Sequence, residues 1–233
     1  MLSVLKEYTT DFYRLFFPKI CGACDCSLVK SEEHLCLHCK LELPFTEFEL
    51  LKENPVEQVF FGRADIDFAS ALLFFSKGEK VQRLLHNIKY NEQKELALYM
   101  GRLMGQRLQN SPYFRGVTTI IPIPLHPQKQ NIRGYNQSYL IALGINEVLK
   151  IDLQNDNLVR EINTSSQTRK SRLERWENVS DTFKLKDQEK VNKKHVLLID
   201  DVLTTGATLD ACAQIFKTAN GCKVSIATMA FVD

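Results

Sequence analysis

Short apolar runs alternate along this chain with stretches in which apolar residues recur every three or four positions. Apolar runs rich in β-branched residues predict buried strands, and the second pattern predicts amphipathic helices. The predicted strands are Phe68–Phe75, Val117–Ile123, Leu158–Ile162, Val196–Ile199 and Val224–Phe231, with Phe183–Leu185 as a short edge strand. Strands that alternate with helices predict an α/β fold built on a doubly wound parallel sheet.

The helical pattern is clear in five places. Helices are predicted over Leu2–Phe17, from about Glu79, over Lys94–Leu108, up to Leu149 and up to Phe216. The segment Leu125–Gln137 is predicted as a loop, because Pro122 and Pro124 interrupt the preceding strand. We expect a small N-terminal module over residues 1–45 and a larger domain over residues 46–233.

Composition narrows the class of protein. The chain has 233 residues, of which 44% are hydrophobic and 25% charged, with a formal net charge of +2. This composition is typical of a globular protein, and so small a net charge means that any basic face must be local. No apolar run approaches the ~20 residues that span a bilayer, so no membrane insertion is expected. Charged residues in the N-terminal stretch argue against a signal peptide, and we expect a cytoplasmic protein with reduced thiols.

Five of the seven cysteines lie between positions 21 and 39. Cys21 and Cys24 form one C-x-x-C pair, and Cys36 and Cys39 form a second pair after eleven intervening residues. This spacing favours a structural Zn²⁺ site with four thiolate ligands, because each tight turn presents two sulfurs. The metal would replace a core that so short a module cannot build. A redox-active dithiol pair is the alternative interpretation.

The sequence offers more than one choice of ligands for the proposed metal. Cys26 lies two residues after Cys24 and could compete with it, and His34 or His38 could replace a thiol. A histidine beside a zinc knuckle is more often a surface residue, so we take the four-cysteine set as the prediction.

A second group of candidate functional residues follows the run Val196–Ile199. Asp200 and Asp201 come first, and a Thr-rich loop then opens the helix predicted to reach Phe216. The loop residues are Thr204, Thr205, Gly206, Ala207 and Thr208. Open α/β sheets bind phosphorylated ligands at such loops, because unpaired N–H groups at a helix start carry partial positive charge. Adjacent carboxylates suit sugar hydroxyls or Mg²⁺, so the pattern implies a ribose phosphate. The alternative is an ordinary turn in which Asp and Thr serve as caps.

This block resembles the fingerprint of the type I phosphoribosyltransferases, which is four apolar residues, two acids, two further residues and Thr-Thr/Ser-Gly-x-Thr. The resemblance implies a type I phosphoribosyltransferase-like fold. It also implies that the loop holds the 5′-phosphate of phosphoribosyl pyrophosphate (PRPP). The two acids would meet the ribose 2′- and 3′-hydroxyls, and Mg²⁺ would accompany the pyrophosphate.

Three further stretches make the chain similar to a smaller group of proteins within this resemblance. They are the two C-x-x-C pairs, the segment Leu85–Tyr90, and the segment Ile121–Pro127 followed by Arg133–Gln137. In this order they are similar to the ComF family of bacterial competence proteins over roughly residues 18–231. That resemblance implies a role in natural transformation, where DNA enters the cytoplasm as a single strand. It names single-stranded DNA and a competence helicase as candidate partners.

In active transferases a basic loop closes over the leaving pyrophosphate, and by analogy Asn163–Val179 is the candidate hood. The candidate pyrophosphate contacts are Arg133, Arg169, Lys170, Arg172 and Arg175. Single-stranded DNA requires cations beside aromatic platforms. The candidates for that role are Lys89, Tyr90, Tyr135 and Trp176. The alternatives are a solvated charged loop for the hood and core packing for the aromatic residues.

Two functions from different classes therefore stay open. One is a DNA-handling protein whose pocket binds PRPP. The other is an active phosphoribosyltransferase with an unknown acceptor, although the sequence shows no general base for it. A regulator that senses PRPP is a third hypothesis.

Overall fold

The computed structural model describes residues 16–91, 93–160 and 183–232. Most of the predicted helix Leu2–Phe17 and the whole segment Asn163–Val179 lie outside this part of the chain. Within the described ranges, no helix is both long enough and apolar enough to cross a bilayer.

Strands and helices are interspersed along the described residues. The strands are β1 (Phe68–Phe74), β2 (Thr119–Pro122), β3 (Asp152–Leu153), β4 (Leu158–Arg160), β5 (Phe183–Leu185), β6 (His195–Leu203) and β7 (Lys223–Phe231). The α-helices are α1 (Leu37–Glu42), α2 (Pro55–Gln58), α3 (Lys80–Tyr90), α4 (Lys94–Asn110), α5 (Pro127–Arg133), α6 (Gln137–Leu149) and α7 (Ala207–Phe216). Short 3-10 turns lie at Phe48–Leu50 and Glu189–Val191.

Five strands form one sheet in the order β1-β7-β6-β2-β3, and every neighbouring pair in it is parallel. The central strand β6 is buried on both faces, since Leu197 packs into one hydrophobic cluster and Leu198 into the other. Apolar residues of α3, α4 and α6 cover the first face, and those of α2 and α7 cover the second. The predicted doubly wound parallel sheet is therefore confirmed.

Two sequence-based predictions need correction. The segment predicted as a strand over Leu158–Ile162 does not join the main sheet. Its described part, β4, pairs antiparallel with β5 in a separate two-stranded sheet. The predicted loop Leu125–Gln137 contains α5, because Pro127 begins a helical turn that Gly134 ends in the left-handed conformation.

Helix α6 is held close to α4 by a pair of glycines. A Cβ atom on Gly101 would lie 2.2 Å from the carbonyl oxygen of Ile141, and one on Gly144 would lie 2.2 Å from that of Leu98. Only glycine permits this close approach of the two backbones. The contact fixes the position of α6, whose first turn carries Ser138.

The cysteine-rich segment packs directly onto the α/β part. Cys21, Leu35 and Leu43 belong to the same hydrophobic cluster as the buried face of α3. The Asn87 side-chain amide of α3 donates to the Gly22 carbonyl oxygen at 2.9 Å. The two parts therefore share one core.

Candidate functional site

Strand β6 carries the two acids at its carboxyl-terminal half, within the strand rather than after it. Asp200 Oδ1 accepts a hydrogen bond from Ser138 Oγ at 2.9 Å and another from the Asp201 backbone N–H at 2.8 Å. Asp201 Oδ2 lies 2.9 Å from Lys89 Nζ. Three elements, β6, α6 and α3, thus position the acidic pair.

The two acids differ in their electrostatic environment. Burial and the neighbouring Asp201 carboxylate raise the pKa of Asp200 to about 7. The hydrogen bonds from the Asp201 amide and Ser138, together with the Lys89 ammonium group, lower that pKa and only partly offset the rise. Asp200 is therefore poised to change its protonation state near neutral pH, while Asp201 has its own cationic partner.

The loop after β6 bends into α7 at Gly206, whose φ is +74°. A Cβ atom there would lie 2.6 Å from Val59 Cγ1, so both the conformation and the space require glycine. Asp200 and the loop residues Thr204 to Thr208 line one concavity of about 50 Å³. The first amides of α7 carry partial positive charge at this concavity, which suits an anionic ligand.

Arg63 holds the outside of this loop, and sequence reasoning missed it. Its Nη1 donates to the Thr205 carbonyl oxygen at 2.8 Å, and its Nη2 lies 3.7 Å from Asp210 Oδ2 on α7. No local pattern marks Arg63, because its partners lie about 140 residues away in sequence. The pair of contacts fastens the loop to the first turn of the helix.

The segment Arg133–Gln137 is a scaffold for the acidic pair. Gly134 ends α5, and Asn136 caps α6 by accepting from the Ser138 N–H at 3.1 Å. The Asn136 amide also donates to the Ile123 carbonyl oxygen at 2.9 Å, which ties the cap to the end of β2. These contacts place Ser138 against Asp200, a role for Ser138 that the sequence analysis did not foresee.

The aromatic candidates separate into one exposed and one buried residue. Tyr135 is 8% exposed and its hydroxyl donates to the Ile88 carbonyl oxygen, so it packs in the core and its prediction as a base-stacking platform was wrong. Tyr90 is 57% exposed, and the Arg133 guanidinium lies 5.2 Å from the centre of its ring. Arg133 Nη2 also lies 3.4 Å from the Tyr90 hydroxyl.

Lys89 and Tyr90 are the last two residues of α3, and we call Tyr90 and Arg133 together the rim. Lys89, predicted as a DNA contact, is the partner of Asp201, and the next residue along the chain is the partner of Arg133. The other predicted hood and stacking residues lie outside the described residues. They are Arg169, Lys170, Arg172, Arg175 and Trp176.

A cluster of thiols lies in the N-terminal segment. The Sγ atoms of Cys21, Cys24, Cys26 and Cys36 all lie within 4.8 Å of one another. Four sulfurs at ~2.3 Å from a tetrahedral zinc ion would be about 3.8 Å apart, so the donor set fits such an ion. The cluster thus includes Cys26, which the predicted set omitted, while the predicted ligand Cys39 lies beside it with its N–H donating to Cys36 Sγ at 3.4 Å.

The two neighbouring histidines have other contacts. The His34 ring lies 5.3 Å from that of Tyr99, and His38 Nε2 lies 3.1 Å from Glu42 Oε2. Neither belongs to the group of close donors among the described residues.

Comparison with known proteins gives the site its context. Residues 142–232 match the family described as Phosphoribosyl transferase domain. The DNA utilization protein YhgH of Escherichia coli O157:H7 is 27% identical over 146 residues, which are 61% of this chain and 63% of that protein. Competence protein F of Haemophilus influenzae is 33% identical over 99 residues, 42% of this chain and 43% of that protein. Competence protein ComFC of Bacillus subtilis is 36% identical over 97 residues, 41% of this chain and 36% of that protein.

Each match therefore spans 63% or less of the relative's own length. Among solved structures, glutamine phosphoribosylpyrophosphate amidotransferase from B. subtilis is similar with a TM-score of 0.43 and 14% identity. That similarity covers 62% of this chain and 30% of the other chain. The transferase domain match contains the acidic pair and the Thr-rich loop, and the relatives carry the names of competence proteins. The chain is therefore similar to the ComF-type competence proteins, and its C-terminal part, residues 142–232, matches the phosphoribosyl transferase domain.

Proposed function

We propose that this chain binds PRPP together with Mg²⁺ and handles single-stranded DNA in natural transformation. One observation carries the first half of the proposal, namely that Asp200 and the Thr-rich loop line the same concavity. The loop amides and hydroxyls suit the 5′-phosphate, and the carboxylates suit the vicinal hydroxyls of the ribose. Mg²⁺, which prefers oxygen ligands, would neutralise the negative charge of the pyrophosphate.

The exposed rim beside the acids supports the DNA half. Tyr90 offers an exposed ring with the Arg133 guanidinium over it, and the names of the relatives refer to competence and DNA utilization. Stacking on an aromatic ring beside a cation binds single strands with little regard to sequence. The proposal places the chain in the cytoplasm, where the incoming strand and a competence helicase would meet it.

Calorimetric titration with Mg²⁺–PRPP tests the first half. The wild-type protein should bind, and the double variant Asp200→Asn/Asp201→Asn should bind at least about tenfold more weakly, because neutral amides replace two acceptors of charge-assisted hydrogen bonds. The matched control is Asp156→Asn, an exposed acid in the turn before β4. Absence of PRPP binding by the wild-type protein would overturn the proposal.

A second candidate function is transfer of ribose 5-phosphate to an acceptor, which the match to the phosphoribosyltransferase domain favours. Transfer releases pyrophosphate, so an assay for pyrophosphate with a panel of candidate acceptors separates the two functions. Release that depends on one acceptor supports transfer. PRPP that is bound but remains intact supports the DNA-handling function.

We further propose that the thiol cluster holds one structural Zn²⁺. Closely spaced thiolates select zinc, and the small module that contains them gains stability from the metal. Metal analysis of untreated protein should find about one zinc per chain. Less than half an equivalent would contradict this assignment.

A further inference from the structure

Five cysteines, one more than a four-coordinate ion binds, lie at the proposed metal site. Four of them form the close group of Cys21, Cys24, Cys26 and Cys36, and the Cys39 N–H donates to Cys36 Sγ at 3.4 Å, which places Cys39 beside the group. A structural zinc ion takes four ligands. One of the five thiols is therefore not bound to the ion, and this thiol belongs to either Cys26 or Cys39.

Cys21 and Cys36 are held in place by the backbone. Cys21 Sγ accepts from the N–H groups of Ala23 at 3.5 Å and Cys36 at 3.3 Å. Cys36 Sγ accepts from the Cys39 N–H at 3.4 Å. Such hydrogen bonds orient a thiolate toward its metal, so these two sulfurs are fixed members of the ligand set.

Cys26 and Cys39 differ in their access to solvent. Cys39 is fully buried on α1, whereas Cys26 is exposed, with its Sγ 3.2 Å from Cys24 Sγ. The fixed thiols are also inaccessible, since Cys21 is 0% and Cys36 is 7% exposed. An ion from solvent therefore meets the partly exposed Cys24 and the exposed Cys26 before the buried thiols.

We propose that Cys26 is the loading ligand of this site and exchanges with Cys39 for the fourth position on the metal. Cys26 captures the ion together with Cys24 and then yields its place to the buried Cys39. In that step one metal–sulfur bond forms as another breaks, and the proton of the entering thiol passes to the departing thiolate. The ion keeps four sulfur ligands in both arrangements. This inference rests on the proposed zinc site.

Serine variants test the exchange by metal analysis and by the rate of zinc transfer to a chromogenic chelator. Cys26→Ser and Cys39→Ser should each retain about one zinc per chain, because the remaining thiol completes the set. Cys26→Ser should slow zinc uptake and release several-fold. Cys36→Ser and the double variant Cys26→Ser/Cys39→Ser should lose at least about 100-fold in zinc affinity. The control is Cys222→Ser, which lies near the start of β7 and outside the cluster.

Two results would overturn the inference. The first is that Cys26→Ser takes up and releases zinc at the rates of the wild-type protein. The second is that Cys39→Ser loses zinc as completely as Cys36→Ser does. A wild-type protein without metal would instead overturn the zinc assignment itself, so the two failures are distinguishable. If Cys39→Ser does not fold, alkylation of the zinc-loaded wild-type protein decides. Partial protection of the exposed Cys26 supports exchange, and labelling of Cys26 at the rate of a free thiol overturns it.

Discussion

Lys89 Nζ lies 2.9 Å from Asp201 Oδ2, so the acidic pair of β6 is bound to a cation on α3. Both side chains are largely buried, at 21% and 15% exposure. Lys89→Met should therefore lower the free energy of unfolding by about 1–3 kcal/mol, because it leaves an uncompensated carboxylate. It should also raise the pKa of Asp200, which the Lys89 charge lowers in the wild type. Urea unfolding and carboxyl NMR titration measure the two effects.

The control for this variant is Lys186→Met, an exposed lysine after β5. Equal unfolding free energies for Lys89→Met and Lys186→Met at pH 8 would show that the ion pair contributes nothing to stability.

Stability should depend on the protonation of Asp200. Its pKa of about 7 in the folded protein exceeds that of an unfolded Asp, about 3.9, so the folded state binds the extra proton between these values. Unfolding free energy attributable to this group therefore falls as pH rises from about 4 to 7 and is constant above. Asp200→Asn resembles the protonated acid and still accepts from Ser138, so it should be more stable than wild type at pH 8, by about 2 kcal/mol. Thermal unfolding at pH 5 and 8 tests this. A wild type at least as stable as the variant at pH 8 would contradict it.

Two glycines with the same backbone conformation give a matched pair of variants. Gly206 and Gly134 both have a φ of +74°, but only a Cβ on Gly206 meets a neighbour, at 2.6 Å from Val59 Cγ1. Gly134→Ala should cost about 1 kcal/mol of unfolding free energy from the left-handed conformation alone. Gly206→Ala should cost about 1–3 kcal/mol more, because Val59 must shift, and should abolish PRPP binding. Equal costs for the two variants would mean that the loop accommodates a side chain.

The rim formed by Tyr90 and Arg133 should contact single-stranded DNA. Tyr90→Ala should weaken oligonucleotide binding by about 1–3 kcal/mol through lost stacking. Arg133→Ala should remove one phosphate contact and so reduce the slope of log affinity against log salt concentration by about one. Fluorescence anisotropy at several salt concentrations measures both effects. Arg115→Ala is the control, since Arg115 is exposed before β2, at the amino end of the strands and away from the site. A similar loss in Arg115→Ala would show a diffuse electrostatic interaction instead.

The parallel sheet could be predicted from sequence because its inner strands are continuous apolar runs bounded by turn residues. The exception was β4, whose run Leu158–Arg160 resembles an inner strand although it pairs with β5 away from the main sheet. An apolar run shows that a strand is buried but does not identify its neighbour. The partner of β4 depends on contacts with residues distant in sequence.

The chemistry of the site divides in the same way. Asp200, Asp201 and the Thr-rich loop are contiguous, so a local pattern revealed them. The roles of Ser138 and Arg63 and the partnership of Lys89 with Asp201 arise only when α6, the turn after α2, and α3 assemble around β6. The burial of Tyr135 depends likewise on its contact with α3, and sequence alone could not distinguish it from the exposed Tyr90.

The affinity for ribose 5-phosphate relative to 2-deoxyribose 5-phosphate tests the central claim most directly, since the two sugars differ by the single hydroxyl that the acids should bind. Calorimetry on the wild-type protein should show binding of ribose 5-phosphate at least about tenfold tighter than that of the deoxy sugar. The difference should disappear in Asp200→Asn/Asp201→Asn. Equal affinity of the wild-type protein for the two sugars, or no binding of either, would contradict a site in which the loop holds the phosphate and the paired acids bind the vicinal hydroxyls.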